Sequence, residues 1–269
     1  MKKRIEIVKK LLRNTLIALA CFAVLLSALL LYSFSRTLPL AQRRELSGGA
    51  VQVKDGMVSV AIIPSADRQV ILVDCGSDSK ARAILEGLGQ MGFGKESVKA
   101  ILLTHAHPDH IGGCAAFPDA EIFAMAAERS LLEGREASRS LIGVLIGKKD
   151  SGLHIARYLQ DGDSLQLGNV AVSCYLISGH TDGSAAYLAA GTLYLGDSAD
   201  SGRDGTLMPA KRFVSIDVEK NRVSLERLAE RLRPQARQIK ILEFAHSAPL
   251  TGIEPLLDFA RNSRSRPRQ

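Results

Sequence analysis

The sequence predicts a layered α/β domain with mixed sheets, preceded by one membrane-spanning helix. Of its 269 residues 46% are apolar and 23% charged, which is enough for one substantial hydrophobic core. Strand-like and helix-like runs are both abundant but do not alternate strictly, and this favours layered α/β with mixed sheets. An uncharged stretch at residues 14–35 comes before all of these runs.

The uncharged stretch is long enough to cross a bilayer. Its 22 residues would form a helix of about 33 Å, against a hydrocarbon core of about 30 Å. A cleaved signal peptide is the alternative, with an apolar region of about 7 to 15 residues and small residues at the cleavage site. Because the run is longer and Tyr32 and Phe34 stand near its end, we expect an uncleaved signal anchor.

The basic residues are concentrated before this stretch. The first 13 residues contribute +5 of the formal charge of +7, leaving +2 for the rest. The folded domain is thus nearly neutral, which argues against nucleic acid as a partner. The positive-inside rule keeps the amino end in the cytoplasm. We therefore expect a single-pass protein of the cytoplasmic (inner) membrane, with its large domain on the extracytoplasmic or periplasmic side.

Five segments follow from these patterns. We assign residues 1–13 to a basic cytoplasmic terminus, 14–35 to the transmembrane anchor, 36–49 to a linker, 50–262 to the folded domain and 263–269 to a flexible tail. The domain begins with strands at residues 50–54, 57–63 and 69–73. Asp55-Gly56 between the first two strands is a strong hairpin signal.

The remaining elements are predicted by apolar periodicity and by glycine stops. Helices are expected at residues 78–91, 126–133, 223–232 and 253–260. Strands are expected at residues 100–103, 121–125, 164–167, 170–177, 185–189, 192–195 and 238–244. The segment 134–152 contains an apolar patch between glycines and charges, and both a surface helix and a lid over a pocket fit it.

The four cysteines are too few for a disulfide scaffold. Cys21 lies in the predicted anchor, so Cys75, Cys114 and Cys174 allow at most one intramolecular bridge. We expect them to be small buried apolar residues rather than redox groups.

Three of the six histidines fall in one window of six residues, 105–110, together with an aspartate. Imidazole and carboxylate are ligands that zinc accepts at short distances. In extended backbone His105 and His107 point to the same side and can share one metal. Asp109 and His110, beyond a proline, can turn toward a second metal. The glycines at positions 112 and 113 then allow a close backbone approach.

The extended window THAHPDHIGG, residues 104–113, closely resembles the signature of the metallo-β-lactamase-fold hydrolases. The resemblance continues in order along residues 51–259 through Val73-Asp74-Cys75-Gly76, the run GHTDGS at 179–184, Gly196-Asp197 and His246. It implies a four-layer αββα sandwich with a dinuclear metal site at one edge of two sheets.

The resemblance also assigns the ligands, in the set known from glyoxalase II. One metal would take His105, His107 and His180, and the other would take Asp109, His110 and His246. Asp197 would bridge the two ions, and Asp74 would orient ligands from behind. His154 is the one histidine outside the pattern, and we expect it at the surface or in a lid.

The implied activity is metal-dependent hydrolysis of a small molecule. Two divalent ions, zinc first with iron or manganese as alternatives, lower the pKa of a shared water from about 15.7 toward roughly 7. The resulting bridging hydroxide would attack an ester, thioester or lactone-like centre. Asp109 is the expected catalytic proton carrier as the bond breaks.

Several family activities fit less well. True β-lactamases of this fold carry Cys or Ser where this chain has Asp197, which argues against antibiotic hydrolysis. Glyoxalase II adds a carboxyl-terminal glutathione-binding domain, and only 23 residues follow His246 here. Two alternatives stay open, namely a persulfide dioxygenase-like oxidoreductase with a single iron and a non-catalytic membrane-anchored module. The sequence does not fix the oligomeric state.

Overall fold

The computed structural model describes residues 2–140, 143–144 and 147–264. The chain forms two compact units, residues 1–37 and 38–269. The first unit is helix α1, Lys2–Ser35. Within the described residues, no helix combines the length and the apolar character that crossing a membrane requires. The membrane span predicted at 14–35 is therefore unconfirmed.

The second unit contains a sheet of seven strands in the order β1 to β7. Strands β1 to β4 pair antiparallel, and β4 to β7 pair parallel. Their bounds are β1 Arg43–Glu45, β2 Val51–Asp55, β3 Val58–Pro64, β4 Val70–Val73, β5 Val98–Leu102, β6 Glu121–Met125 and β7 Ile155–Leu159.

A second sheet has six strands in the order β15-β14-β11-β10-β9-β8, and β12 pairs with β13 in a separate ribbon. Within the six, only β11 and β14 pair parallel. The bounds are β8 Ser164–Leu167, β9 Val170–Leu176, β10 Ala185–Ala189, β11 Thr192–Tyr194, β12 Ala199–Ser201, β13 Leu207–Pro209, β14 Ile241–Glu243 and β15 Leu250–Thr251.

The helices of the second unit are short except for two. Their bounds are α2 Arg82–Gln90, α3 Pro108–Ile111, α4 Arg129–Leu132, α5 Val218–Leu232 and α6 Glu254–Arg264. Helix α5 starts at a capping residue, since the Asp217 carboxylate accepts a hydrogen bond from the Lys220 amide. This cap explains why the helix begins five residues before the predicted Val223.

The core has three apolar layers between and outside the sheets. Successive side chains of a strand point to opposite faces. Accordingly Ala61 and Ile63 of β3 belong to the layer between the two sheets, and Val60 and Ile62 belong to the layer under α2. The outer face of the second sheet packs against α5 and α6. This gives helix, sheet, sheet, helix, the αββα order that the resemblance implies.

Five of the strands lie outside the runs that predict strands. Strands β12, β13 and β15 have only two or three residues, and β7 has no alternation of apolar and polar residues, so apolar alternation does not reveal them. Strand β1 lies within residues 36–49 and pairs with β2 at the sheet edge. The helix predicted at 126–133 divides into a 3-10 turn at residues 126–128 and α4.

The segment 134–152 is described only in part. Leu141, Ile142, Leu145 and Ile146 of its predicted apolar patch lie outside the described residues, as does the tail from 265 to 269. Contacts with other parts of the chain hold the described residues near both ends of this segment. Arg139 forms an ion pair with Asp182, and residues 133 and 150 form an isolated bridge.

One disulfide closes a loop of the first sheet. Cys75 after β4 bonds Cys114 after α3, at a sequence separation of 39. The sequence allowed one such bridge without naming the pair, and Cys75, Cys114 and Cys174 are all buried, as expected. Cys174 is free and buried, and burial raises the pKa of its thiol to about 12.

Candidate metal centre

The candidate ligands come together at one edge of the two sheets. Each follows the carboxyl end of a strand, so the topology rather than sequence distance determines their proximity. Asp74 follows β4 and the 105–110 window follows β5. His180, Asp197 and His246 follow β9, β11 and β14 respectively.

Three imidazoles form the first group of donors, here named the three-histidine cluster. His180 Nε2 lies 3.0 Å from His105 Nε2 and 2.9 Å from His107 Nδ1. One donor atom from each ring lies within 4.8 Å of the others. Three nitrogen atoms facing a common point are suited to hold one metal ion.

The second group, here named the aspartate–histidine cluster, contains Asp109, His110 and His246. Asp109 Oδ2 lies 3.3 Å from His246 Nε2 and 3.8 Å from His110 Nε2. These three donor atoms also lie within 4.8 Å of one another. The side chain of Asp109 is 41% exposed, so this cluster faces the opening of the site.

Asp197 lies between the two clusters. Its Oδ1 is 3.2 Å from both His110 Nε2 and His246 Nε2, and its Oδ2 is 3.6 Å from His180 Nε2. The preceding Gly196 has φ +52°, and a Cβ there would come within 2.6 Å of Thr104 Oγ1. Glycine at 196 thus lets the carboxylate approach both clusters.

Two buried atoms of this site lie close together without forming a hydrogen bond. Within the described part of the chain, His110 Nε2 and Asp197 Oδ1 make no hydrogen bond, although they are 3.2 Å apart. Buried polar atoms without a partner are rare in folded proteins. A divalent cation would satisfy both atoms, and nitrogen and carboxylate donors suit zinc. The residues present therefore fit a dinuclear metal centre.

Burial keeps the three-histidine cluster neutral. It lowers the pKa of His105 well below the ordinary value, and the neighbouring imidazoles lower it further. Burial also lowers the pKa of His107, and it lowers that of His180 to about 3. Neutral imidazoles offer their lone pairs to a metal at neutral pH.

Charge dominates the aspartate–histidine cluster. Burial lowers the pKa of both rings, but nearby carboxylates raise it more, namely Asp74 and Asp197 at His110, and Asp197 and Asp109 at His246. The pKa of His110 is raised well above its ordinary value, and that of His246 is raised to about 10. Burial would raise the pKa of Asp109, but the two histidines lower it to about 2.

Asp74 lies behind the ligands, in contact with His110. Its Oδ2 pairs with His110 Nδ1 at 2.7 Å. Its Oδ1 accepts a hydrogen bond from the Thr104 amide, and its Oδ2 accepts another from Thr104 Oγ1, both at 2.7 Å. Asp74 is thus placed to fix the His110 ring with Nε2 turned toward Asp197.

Other polar groups orient the remaining rings. His180 Nδ1 lies 3.0 Å from Ser215 Oγ, which itself donates to the Lys211 carbonyl, so the ring nitrogen is the donor. His246 Nδ1 donates to the Met57 carbonyl at 2.7 Å. Both contacts turn Nε2 into the site.

Glu128 is the buried group that sequence reasoning missed. Its Oε1 accepts a hydrogen bond from the Ala106 amide at 2.8 Å. Its Oε2 accepts from Thr181 Oγ1 at 2.8 Å and from the Gly183 amide at 2.9 Å. It therefore joins the two loops that carry the three-histidine cluster. Burial raises the pKa of Glu128 to about 7, although these bonds oppose the shift.

The seven predicted ligands and Asp74 thus lie in one site. His154 lies apart from them, exposed just before β7. No sequence signal pointed to Glu128, because it stands within the run 126–133 that predicts an ordinary helix. Ser215 and the Met57 carbonyl were missed for a similar reason, since their contacts depend on distant segments.

Comparison with known proteins gives a family match over most of the second unit. The family model described as the metallo-beta-lactamase superfamily matches residues 53–232. The matched range includes six of the seven candidate ligands and ends before His246.

Curated relatives match a shorter part of the chain. A hydroxyacylglutathione hydrolase of Aeromonas hydrophila is 29% identical over 153 residues, covering 56% of this chain and 51% of the relative. A protein named "Probable metallo-hydrolase YybB", from Bacillus subtilis, is 31% identical over 157 residues, covering 56% and 66% respectively. The chain spans about half the length of the hydroxyacylglutathione hydrolases that it matches.

Solved structures match more of the chain at lower identity. A B3 metallo-beta-lactamase with an active-site glutamic acid has a TM-score of 0.63 at 21% identity, covering 87% of this chain and 91% of its own. The subclass B3 enzyme MEM-A1, from a soil metagenome library, has a TM-score of 0.61 at 20% identity, covering 86% and 95%. At these identities the likeness concerns the fold alone.

Proposed function

Because the chain belongs to the metallo-beta-lactamase superfamily, we propose that it is a hydrolase with a dinuclear metal centre, acting on a small ester, thioester or lactone-like molecule. The observation that carries this proposal is the position of Asp197. Its carboxylate lies within 3.6 Å of nitrogen donors of both clusters and leaves a buried oxygen without a hydrogen bond in the described chain. Such a carboxylate suits a bridge between two ions.

Zinc is the metal that the donor set favours. When bound, two divalent ions supply an activated water at neutral pH and a Lewis acid for the substrate oxygen. The chain supplies the geometry. The three-histidine cluster presents neutral nitrogen donors, and Asp74, Ser215 and the Met57 carbonyl hold rings in the required orientation.

Asp109 is the proton carrier in this proposal. It is the most exposed of the carboxylates at the centre, so a substrate can reach it. Its pKa is lowered to about 2, mainly because His110 and His246 outweigh the effect of burial. An ionised carboxylate at neutral pH is able to accept a proton and release it to the leaving group.

A thioester is the bond that the relatives favour. Those named hydroxyacylglutathione hydrolase match 56 to 58% of this chain. Their glutathione specificity does not carry over, because this chain spans only about half of their length. Two donor clusters also favour a dinuclear hydrolase over an oxidoreductase with a single iron.

We also propose that the metal centre operates outside the cytoplasm, with residues 14–35 as a membrane anchor. The basic residues before the uncharged stretch support the orientation. The Cys75–Cys114 disulfide supports an oxidising compartment. The test is extraction of cell membranes with alkaline carbonate, together with an alkaline phosphatase reporter fused after residue 269. Release of the full chain by carbonate, or an inactive reporter, would contradict this proposal.

The catalytic proposal is tested with metal analysis and two histidine variants. The purified protein should contain about two zinc ions per chain and hydrolyse a simple thioester. His107→Ala should lose metal and activity, because one nitrogen donor is removed. His154→Ala is the matched control, since His154 is exposed and lies outside the centre. Full activity of metal-stripped His107→Ala would refute the proposal.

A further inference from the structure

A pocket of about 330 Å³ opens beside the metal centre. Two of its lining residues, His107 and Asp109, belong to the two donor clusters, so the pocket and the centre are continuous. Most of the remaining wall is apolar. Its apolar side chains include Pro108, Ile111, Leu131, Leu153 and Val214.

The wall carries little charge beyond the metal donors. Among the described residues that line it, Lys149 is the one charged side chain besides Asp109 and the titratable His107. No carboxylate outside the metal centre faces the cavity in this part of the chain. A neutral or anionic group therefore fits the pocket better than a cationic group.

The floor of the pocket is tied to a metal donor. Ser138 Oγ lies 3.5 Å from His107 Nε2 and donates to Ser140 Oγ at 3.1 Å. Ser140 Oγ also accepts a hydrogen bond from the Gly143 amide at 3.0 Å. A Cβ at position 143 would lie 2.3 Å from Ser138 Cβ, so only glycine allows this approach. This part of the pocket wall is thus in contact with a side chain that also belongs to the three-histidine cluster.

We infer that this pocket binds the acyl group of the substrate, and that the substrates are thioesters or esters of apolar acyl chains. The inference rests on the proposed hydrolase function. Its volume is at the lower end of the roughly 300 to 1,000 Å³ of small-molecule sites. The small volume and the apolar wall suit an acyl chain. The thiol part of a biological thioester is polar and would extend toward solvent.

The test compares acyl chains on one small polar thiol, using zinc-loaded protein. Acetyl, butanoyl, hexanoyl and octanoyl thioesters should show kcat/KM rising about fourfold per methylene until the pocket is full. A 6-aminohexanoyl thioester should be hydrolysed more slowly than the hexanoyl one. A flat or falling series, with the acetyl thioester hydrolysed, would overturn the inference while leaving the proposed function intact.

A binding measurement separates the pocket from the chemistry. Octanoate should bind the metal-free protein in calorimetry with a negative heat-capacity change, and acetate should not. If no thioester is hydrolysed but octanoate binds, the pocket assignment stands and the hydrolase proposal fails. Absence of octanoate binding would overturn the pocket assignment.

Two variants test whether the dependence of kcat/KM on acyl-chain length arises in this pocket. Ala115→Trp, at the exposed rim of the pocket, should lower the octanoyl-to-acetyl ratio of kcat/KM at least tenfold by filling the cavity. Leu153→Ser should lower the rise in kcat/KM per methylene, because a serine makes the pocket wall more polar. Ala171→Trp is the control, because Ala171 is exposed on β9 and does not line the pocket. An equal ratio in Ala115→Trp and Ala171→Trp would contradict the inference.

Discussion

The three-histidine cluster and the aspartate–histidine cluster differ in how their donors are stabilised without a metal. In the first, burial lowers the pKa of every ring, and hydrogen bonds accepted by Ser215 and Glu128 hold the rings or their loops. In the second, carboxylates raise the pKa of both rings, and the ion pairs hold the groups together.

This difference shows that one edge of the fold carries two kinds of donor cluster. Neutral rings present free lone pairs, so the three-histidine cluster is ready for a cation at neutral pH. In the other cluster protons compete with the metal, because the histidines are charged in its absence. We therefore expect the three-histidine cluster to bind zinc more tightly than the aspartate–histidine cluster.

The largest expected effect comes from removing one donor of each cluster. His180→Ala should lower kcat by on the order of 10³, because the ion held by three imidazoles is lost. His246→Ala should keep one tightly bound zinc and lose the second. Zinc per chain and thioester hydrolysis check both variants against His154→Ala. Two zinc ions retained by His180→Ala would break the comparison.

The Cys75–Cys114 disulfide lies beside the aspartate–histidine cluster, so removing it tests that cluster separately. It joins the turn after Asp74 to the end of the loop that carries Asp109 and His110. The double variant Cys75→Ser and Cys114→Ser should lose about 4 kcal/mol of unfolding free energy, from chain entropy over 39 residues. Urea unfolding measures this free energy, and a loss below about 1 kcal/mol would contradict a stabilising role of the disulfide.

The same variant separates the clusters by metal content. We expect it to weaken the second zinc more than the first, because Glu128 and Ser215 remain in place. Wild-type protein treated with a reductant while unfolded, then refolded, provides the control. Equal weakening of both ions would show that the bridge does not act on one cluster.

Glu128 joins the two loops that carry the three-histidine cluster, so replacing it tests that cluster separately. Glu128→Gln replaces one acceptor oxygen by an amide nitrogen that would face a backbone N–H donor, either that of Ala106 or that of Gly183, so at least one of three hydrogen bonds is lost. Zinc affinity of the three-histidine cluster should fall about 10- to 100-fold. Equilibrium dialysis measures it, with Glu96→Gln as the control because Glu96 is exposed. Unchanged affinity would remove Glu128 from the metal support.

The smallest expected effect concerns the pH dependence of stability. Burial raises the pKa of Glu243 to about 7 from 4.5, although bonds from Gln52 and Ser59 oppose the shift. Between these values the folded state keeps a proton that the unfolded state has lost. The contribution of Glu243 to the unfolding free energy should therefore fall by about 1 to 3 kcal/mol as pH rises through this window.

Glu243→Gln should remove the part of this slope that Glu243 contributes, because a neutral amide replaces the titrating carboxyl, while Glu128, whose pKa burial also raises to about 7, continues to titrate. The measurement is urea unfolding of both proteins between pH 4.5 and pH 8. Glu96→Gln should retain the slope of the wild type. If Glu243→Gln retained it as well, the assignment to Glu243 would fail.

The sequence predicts the parts of this molecule whose signal is local. The 105–110 window, the Asp55-Gly56 hairpin and the strands at 121–125, 164–167 and 185–189 all depend on neighbouring residues, and the structure has each of them. Glu128 and Ser215 gave no such signal, because their partners are 22 to 55 and 35 positions away. Short strands such as β12 exist because tertiary pairing holds them, which apolar alternation cannot reveal.

The shared carboxylate of Asp197 has a consequence for how the centre fills. Its two oxygens face donors of different clusters, so an ion taken up by one cluster fixes the rotamer that the other needs. The two uptake steps are then linked, and by reciprocity each ion strengthens the retention of its neighbour. Zinc titration of the metal-free chain should accordingly be cooperative, and Asp197→Asn should make the two steps independent.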